Sequence, residues 1–263
     1  MLMVKQCHTG GMHVRIRKSD NPAGTIVYIH GLGESGLCFE RLAADDRLHR
    51  WTHIAADLPG YGKSPWPEKP LNLEELSDVL AQWLNEQGIQ GCCIIGHSMG
   101  GVIGMILCEK HQEYAKSFIN VEGNVSYEDC TISRTITAVG LDEFVSHERE
   151  HLLSKIYQGG FRDKTLRTYY ASLLMCDPTT LYFNSRELVD ISRSEEIPRR
   201  LSELKVPNVY ILGNPRGTGT HSRSLLSSAG VKWIAVENSG HWPFIEQPGR
   251  FIDTILDCLE NMT

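Results

Sequence analysis

The stretch Cys92-Cys93-Ile94-Ile95-Gly96-His97-Ser98-Met99-Gly100-Gly101 decides the fold. Four apolar residues in a row suit a strand of a parallel sheet covered on both faces. They run straight into G-x-S-x-G and then into a helical pattern that lasts to His111. A strand that turns this sharply into a helix brings the residues two before and two after the serine close to neighbouring backbone, where glycine fits for lack of a Cβ. Ser98 is thereby expected at the carboxyl end of the strand, beneath a helix N-terminus. The Met99 amide would point at any oxygen beside it, and the helix dipole favours negative charge there.

Outward from this point the same alternation continues. Thr25-Ile26-Val27-Tyr28-Ile29 and His53-Ile54-Ala55-Ala56 read as buried strands, and Phe118-Ile119-Asn120-Val121 follows the helix. Leu73, Leu76, Leu80, Ala81 and Leu84 recur at helical spacing over Leu73 to Glu86, with Gly88 just past the end as a C-cap. Strand-helix alternation of this kind predicts a mostly parallel, doubly wound α/β sheet. Met3 to Cys7 and His13 to Arg17, around Gly10-Gly11, are expected to add an antiparallel hairpin at its edge. From Gly123 to Leu204 the alternation stops and helical, aromatic segments take over. Strands resume at Asn208 to Leu212 and Lys232 to Val236, and a last helix is expected from Gly249 to Leu259. Residues 1–122 and 205–263 thus form one core, and 123–204 a helical cap (lid) inserted after the strand ending near Val121, over the carboxyl ends of the strands.

Composition sets the outer limits. The chain has 263 residues, 41% hydrophobic and 22% charged, with a formal charge of −6. That is globular composition, and its acidity favours neither nucleic acid nor an anionic membrane. The opening Met1 to Gly11 lacks a basic segment followed by an apolar one, and no apolar run approaches the roughly 20 residues of a membrane span. The 8 cysteines form no C-x-x-C pair and several sit in apolar stretches, as reduced thiols do. A cytoplasmic monomer or small homo-oligomer is expected. Without an export signal the sequons at Asn124-Val125-Ser126 and Asn261-Met262-Thr263 carry no weight.

Two other motifs compete with the serine turn. Gly31-Leu32-Gly33-Glu34-Ser35-Gly36 follows a strand as a dinucleotide-binding G-x-G-x-x-G does, with Asp57 spaced as a ribose-binding acid. Against it, His30 intrudes at the end of the strand and Asp57 leads into a turn-rich loop. His147-Glu148-Arg149-Glu150-His151 fits the zinc pattern H-E-x-x-H, but charged Arg149 and Glu150 suit a solvated helix face, and no third ligand follows nearby. A fourth element, Ser239-Gly240-His241-Trp242-Pro243, lies after the last strand, which delivers His241 to the same sheet edge as Ser98.

Taken together, His30-Gly31-Leu32-Gly33, Asp57-Leu58-Pro59-Gly60-Tyr61-Gly62-Lys63-Ser64, Gly96-His97-Ser98-Met99-Gly100-Gly101 and Gly240-His241-Trp242-Pro243-Phe244 resemble the α/β-hydrolase superfamily, in its capped serine esterase and lipase-like branch. The resemblance implies Ser98 as nucleophile and His241 as base, with the Leu32 and Met99 amides as oxyanion hole, and it absorbs the apparent nucleotide fingerprint. One element departs from the family. The acid commonly stands just after the strand that here is Val209 to Leu212, but this chain has Gly213-Asn214-Pro215-Arg216-Gly217, and no Asp or Glu occurs between Gly213 and Val236. Some members carry the acid one strand earlier, which here is Glu122; Asp129 and Asp142, inside the insertion, are weaker substitutes.

The reaction implied is hydrolysis of a small-molecule carboxylic ester through an acyl-enzyme, without metal or organic cofactor. The aromatic insertion suggests an apolar pocket for an acyl chain or aromatic ester, with Gly31, His97, Tyr170, Leu174 and Trp242 as candidate substrate contacts. Arg216 is either a contact for a substrate carboxylate or a plain loop charge. Carbon-carbon hydrolysis of a ring-fission diketone on the same triad, and a non-catalytic ligand-binding module on the same scaffold, stand as alternatives; a nicotinamide oxidoreductase stands further off.

Overall fold

The computed structural model describes residues 3–262. Eight strands form one sheet in the order β1-β2-β4-β3-β5-β6-β7-β8: β1 Met3–Thr9, β2 Met12–Lys18, β3 Gly24–Ile29, β4 Trp51–Asp57, β5 Cys92–His97, β6 Ala115–Val121, β7 Asn208–Arg216 and β8 Trp233–Gly240. Pairing is parallel from β4 to β8, and β2 runs antiparallel to both of its neighbours. The β1–β2 hairpin turns on Gly10 and Gly11, both at positive φ, as a two-residue turn joining twisted strands requires.

Burial on both faces explains the continuous apolar strands. Val27, Ile29, Cys92 and Ile94 join one core cluster, whereas Ile26, Tyr28, Cys93 and Ile95 join the other. Successive strand residues point to opposite faces, so each run must be apolar throughout to feed both. Helices α1 (Leu73–Glu86) and α2 (Met99–Lys110) contribute to the first cluster. Asn72 and Glu75 start α1 with a reciprocal capping box, each side chain accepting from the other's amide at 2.8 Å.

Between β6 and β7 the described chain is helical: α3 Thr131–Ile136, α4 Arg149–Gly159, α5 Lys164–Leu173, α6 Pro178–Arg193 and α7 Ile197–Glu203. Phe144–Glu148, ahead of α4, winds as π-helix. The insertion is docked on the core by specific bonds as well as apolar packing: Asn184 Oδ1 accepts from the Tyr61 hydroxyl at 2.7 Å, and the Asp177 amide donates to Gly60 O at 2.9 Å. Helix α8 (Thr220–Ser228) links β7 to β8, and α9 (Pro248–Asn261) closes the second face with Phe251, Ile252, Ile255 and Leu259. No described helix is long and apolar enough to cross a membrane.

Strands β7 and β8 run further than their apolar runs suggest. Their pairing continues through Pro215↔Ser239 and Arg216↔Gly240, past a bulge at Asn214/Pro215. Segments expected as loops are therefore ladder, which carries the backbone to the edge of the site. The sequon at Asn261-Met262-Thr263 ends on a residue outside the described range.

Candidate active site

Ser98 is held by backbone geometry. It takes φ 52° and ψ −120° between β5 and α2, a conformation that side-chain-bearing residues rarely adopt. The flanking glycines are obligatory. A Cβ on Gly96 would lie 2.2 Å from Gly100 O, and one on Gly100 would lie 2.1 Å from Ile29 O. The Ser98 amide donates to Val121 O at 3.0 Å, tying the turn to the end of β6.

At the end of β6 the chain repeats the device: Glu122 also has φ 52° and is buried. Its Oε1 accepts from the Gly213 amide at 2.6 Å and the Thr218 amide at 3.1 Å, and its Oε2 lies 3.3 Å from His241 Nδ1. The end of β7 and the loop after it, which contain no carboxylate, instead donate two amides to a carboxylate from the neighbouring strand. Gly217 makes room, since a Cβ there would sit 2.1 Å from Glu122 Oε1. Burial opposes a charged imidazole at His241, but the hydrogen bond and charge of Glu122 outweigh it, and its pKa lies above the ordinary histidine value.

Asp129 faces the same cavity but is turned elsewhere. Its Oδ2 accepts from the Val125 and Ser126 amides at 3.0 Å each and from the Ser222 hydroxyl at 2.7 Å. Burial nevertheless raises its pKa, against those hydrogen bonds.

Ser98 and His241 share a cavity of about 380 Å³ of empty space with Gly31, Leu32, Glu34, His97, Asn124, Asp129, Thr131, Ile132, Ser133, Tyr169, Leu188 and Trp242. No hydrogen bond joins Ser98 Oγ to the imidazole among the described residues; catalytic bonds of this kind are often loose before substrate binds. Among the described residues, neither the Leu32 nor the Met99 amide is taken up by another acceptor, so both are free to donate. His30 fixes the loop that carries Leu32: its Nδ1–H donates to Gly31 O at 2.8 Å, and its Nε2 accepts from the Leu58 amide at 3.0 Å.

Several expectations change. Tyr170 and Leu174 do not line the cavity, and Leu174 is 46% exposed. Helix α5 turns Tyr169, Ser172 and Leu173 inward, and one residue further on is rotated by about 100°. His97 reaches the cavity wall, but both of its nitrogens are engaged: Nδ1 with Glu34 Oε2 at 2.9 Å and Nε2 with His241 O at 2.8 Å. It has no polar atom left for substrate. Trp242 lines the cavity with its indole N–H donated to Glu34 Oε1 at 2.5 Å, and the Gly31 amide is likewise taken by Glu34.

The lining is less apolar than an aromatic insertion suggests. Tyr169 and Trp242 are its aromatics, and Asn124, Asp129, Thr131 and Ser133 bring polar groups. Other rings of the insertion meet one another, buried Phe144 against Tyr182 and, at the surface, Tyr157 against Phe161 and Tyr170. Arg216 is held at 2.8 Å by Glu246 on the exposed surface.

The competing motifs resolve structurally. Asp57 is fully buried and occupied by Arg15 and the amides of Gly36 and Lys63, the latter two at 2.8 and 2.9 Å. It anchors two loops and presents nothing to a ribose. His147 bonds the Ser146 hydroxyl, and exposed His151 pairs with Glu148. Glu34, Asn124, Ser133 and Tyr169 are site residues that sequence reasoning did not select, and Asp129 entered it only as a substitute acid. Only Glu34 left a local signal, an acid inside the Gly31–Gly36 loop.

The fold and this strand-end constellation define an α/β hydrolase. The family model described as "Alpha/beta hydrolase family" matches residues 26–254, and the chain belongs to that family. It is similar to a pimeloyl-[acyl-carrier protein] methyl ester esterase of Neisseria meningitidis serogroup C, 24% identical over 94% of this chain and 98% of that one. Among solved structures it resembles the enol-lactonase of Burkholderia xenovorans LB400 (TM-score 0.77, 18% identity, 98% and 100% coverage). It also resembles a thermophilic esterase from Thermogutta terrifontis (TM-score 0.76, 16% identity, 99% of both chains). The protein is an enzyme of esterase type.

Proposed function

We propose that this hydrolase cleaves carboxylic esters of short, uncharged acyl groups through a Ser98–His241–Glu122 triad, with residues 123–204 as the lid over a core of 1–122 and 205–263. His241 takes the proton of Ser98 as the hydroxyl attacks the ester carbonyl. Leu32 and Met99 donate to the oxyanion, one such donor typically contributing roughly 3 kcal/mol. The protonated imidazole returns its proton to the departing alcohol, and water releases the acyl group by the same steps. Glu122 holds the proton on Nδ1, leaving Nε2 to act as base.

The observation that carries this reading is Glu122 itself, a buried carboxylate that two amides aim at the imidazole of His241. The substrate class rests on the cavity: it is small, and its carboxylates at Asp129 and Glu34 face no Lys or Arg among the lining residues. An anionic acyl group would find no Lys or Arg there to pair with. The test is a panel of nitrophenyl esters of rising acyl length, run beside a fluorophosphonate label mapped by mass spectrometry. Label on Ser98 and a preference for short neutral acyl groups are expected. Label on any other residue, or none, refutes the serine mechanism.

A further inference from the structure

Glu34 takes no part in the proton transfers proposed for Ser98, His241 and Glu122, yet it is 3% exposed at the wall of their cavity. Its carboxylate gathers an amide of its own loop and two side-chain donors from distant segments, with the Cys38 thiol a longer contact at 3.8 Å. Oε2 accepts from the Gly31 amide at 2.7 Å and His97 Nδ1 at 2.9 Å, and Oε1 accepts from Trp242 Nε1 at 2.5 Å. Each of the three nearer donors belongs to the residue next to a working group. Gly31 precedes Leu32, His97 precedes Ser98, and Trp242 follows His241. A second tie closes the ring, since His97 Nε2 donates to His241 O at 2.8 Å.

We propose that Glu34 is a positioning residue for the ester hydrolysis read above from Ser98, its single carboxylate setting the spacing of the oxyanion loop, the nucleophile turn and the histidine loop. Only an ionised carboxylate fits this role. All three partners donate, and an amide side chain has one acceptor oxygen where two are needed. Burial opposes ionisation, but the charge and hydrogen bond of His97, with the bonds from Trp242 and Gly31, bring the Glu34 pKa down to about 2. Because His241 O can only accept, His97 Nε2 donates to it, and the same ring meets Glu34 Oε2 through Nδ1, so one imidazole ties the carboxylate to the histidine loop. Clearance is small. A Cβ on Gly31 would lie 2.9 Å from Glu34 Oε2 and 3.1 Å from Ser98 Cβ, so a shift in one loop is transmitted to the others. Misplacing reacting groups by about 1 Å can cost on the order of 100-fold in rate.

The test compares wild type, Glu34→Gln, Trp242→Phe and the double variant on nitrophenyl acetate, with kcat and KM separated and fluorophosphonate labelling followed in parallel. Glu34→Gln is expected to lower kcat about 10- to 100-fold, with KM changed by less than about threefold and labelling of Ser98 slowed in step. The double variant should be no slower than Glu34→Gln, because the indole arm is already cut. A folded Glu34→Gln protein within about twofold of wild-type kcat overturns the proposal, as do a loss carried by KM or losses that multiply in the double variant. If Glu34→Gln does not fold, Trp242→Phe bears the test: a several-fold fall in kcat supports the proposal, and an unchanged kcat overturns it. A wild-type protein not labelled at Ser98 refutes the serine reading, before any Glu34 variant is compared.

Discussion

Replacing Glu122 by glutamine exchanges one carboxylate oxygen for an NH₂ group and removes the charge with almost no change in volume, and the surroundings dictate how the new side chain must sit. The Gly213 and Thr218 amides, at 2.6 and 3.1 Å, both donate to Oε1, so the amide oxygen must stay there. The NH₂ group then occupies the position 3.3 Å from His241 Nδ1. An NH₂ can only donate, so Nδ1 must become the acceptor and the ring proton moves to Nε2, the nitrogen required as base. The change inverts the imidazole tautomer with the frame intact. In other serine hydrolases a tautomer inversion of this kind costs about 10⁴-fold in kcat, equivalent to roughly 5 kcal/mol of transition-state stabilisation. Steady-state hydrolysis of nitrophenyl acetate near pH 7, with thermal unfolding to establish that the fold persists, measures it. Asp129→Asn, whose carboxylate is spent on Val125, Ser126 and Ser222, is expected to lose less than about tenfold by comparison. Glu122→Gln within tenfold of wild type, or an Asp129→Asn protein equally crippled, refutes the assignment.

Four further outcomes follow from the same geometry. Ser98→Ala should lose at least about 10⁴-fold in turnover while circular dichroism stays unchanged. The His241 pKa is raised by Glu122 despite burial, and the neutral ring is the base. The rising limb of kcat/KM should therefore lie above the ordinary histidine value of 6.5, and the limb of Glu122→Gln should move to lower pH. Gly217→Ala places a Cβ 2.1 Å from Glu122 Oε1 and should cut kcat by tenfold or more, read beside an unfolding curve. Asp57→Asn breaks the buried pair with Arg15 and should cost about 3–5 kcal/mol in urea unfolding, whatever it does to activity.

The sheet was legible because its strands are buried on both sides. Runs such as Ile26–Ile29 and Cys92–Ile95 are apolar throughout, and glycines mark the sharp turn that follows β5. The acid for His241 could be assigned to Glu122, with Asp129 and Asp142 as weaker substitutes, because Gly213 to Val236 contains no carboxylate. What the sequence hid depends on contacts between distant residues. Asp57 reads as a ribose ligand until Arg15, 42 positions away, is seen to occupy it. Tyr169 and Tyr170 are indistinguishable until helix phase and docking select one. The extra length of β7 and β8 lies in polar residues that pair only because each strand supplies the other. Glu34 showed only as an acid inside the Gly31–Gly36 loop, since two of its partners, His97 and Trp242, come from other loops.

The two residues at positive φ on adjoining strand ends, Ser98 and Glu122, have a further consequence. Neither side chain belongs in that backbone shape, which costs a residue other than glycine about 1–2 kcal/mol. Exchanging Ser98 for glycine should therefore yield a tougher, inert molecule that melts later than the parent, whereas at Glu122 the gain is offset by the Gly213 and Thr218 amides left without their acceptor. Any search for heat-hardened descendants that scores survival alone, without asking for turnover, would drift toward erasing the very positions on which chemistry depends.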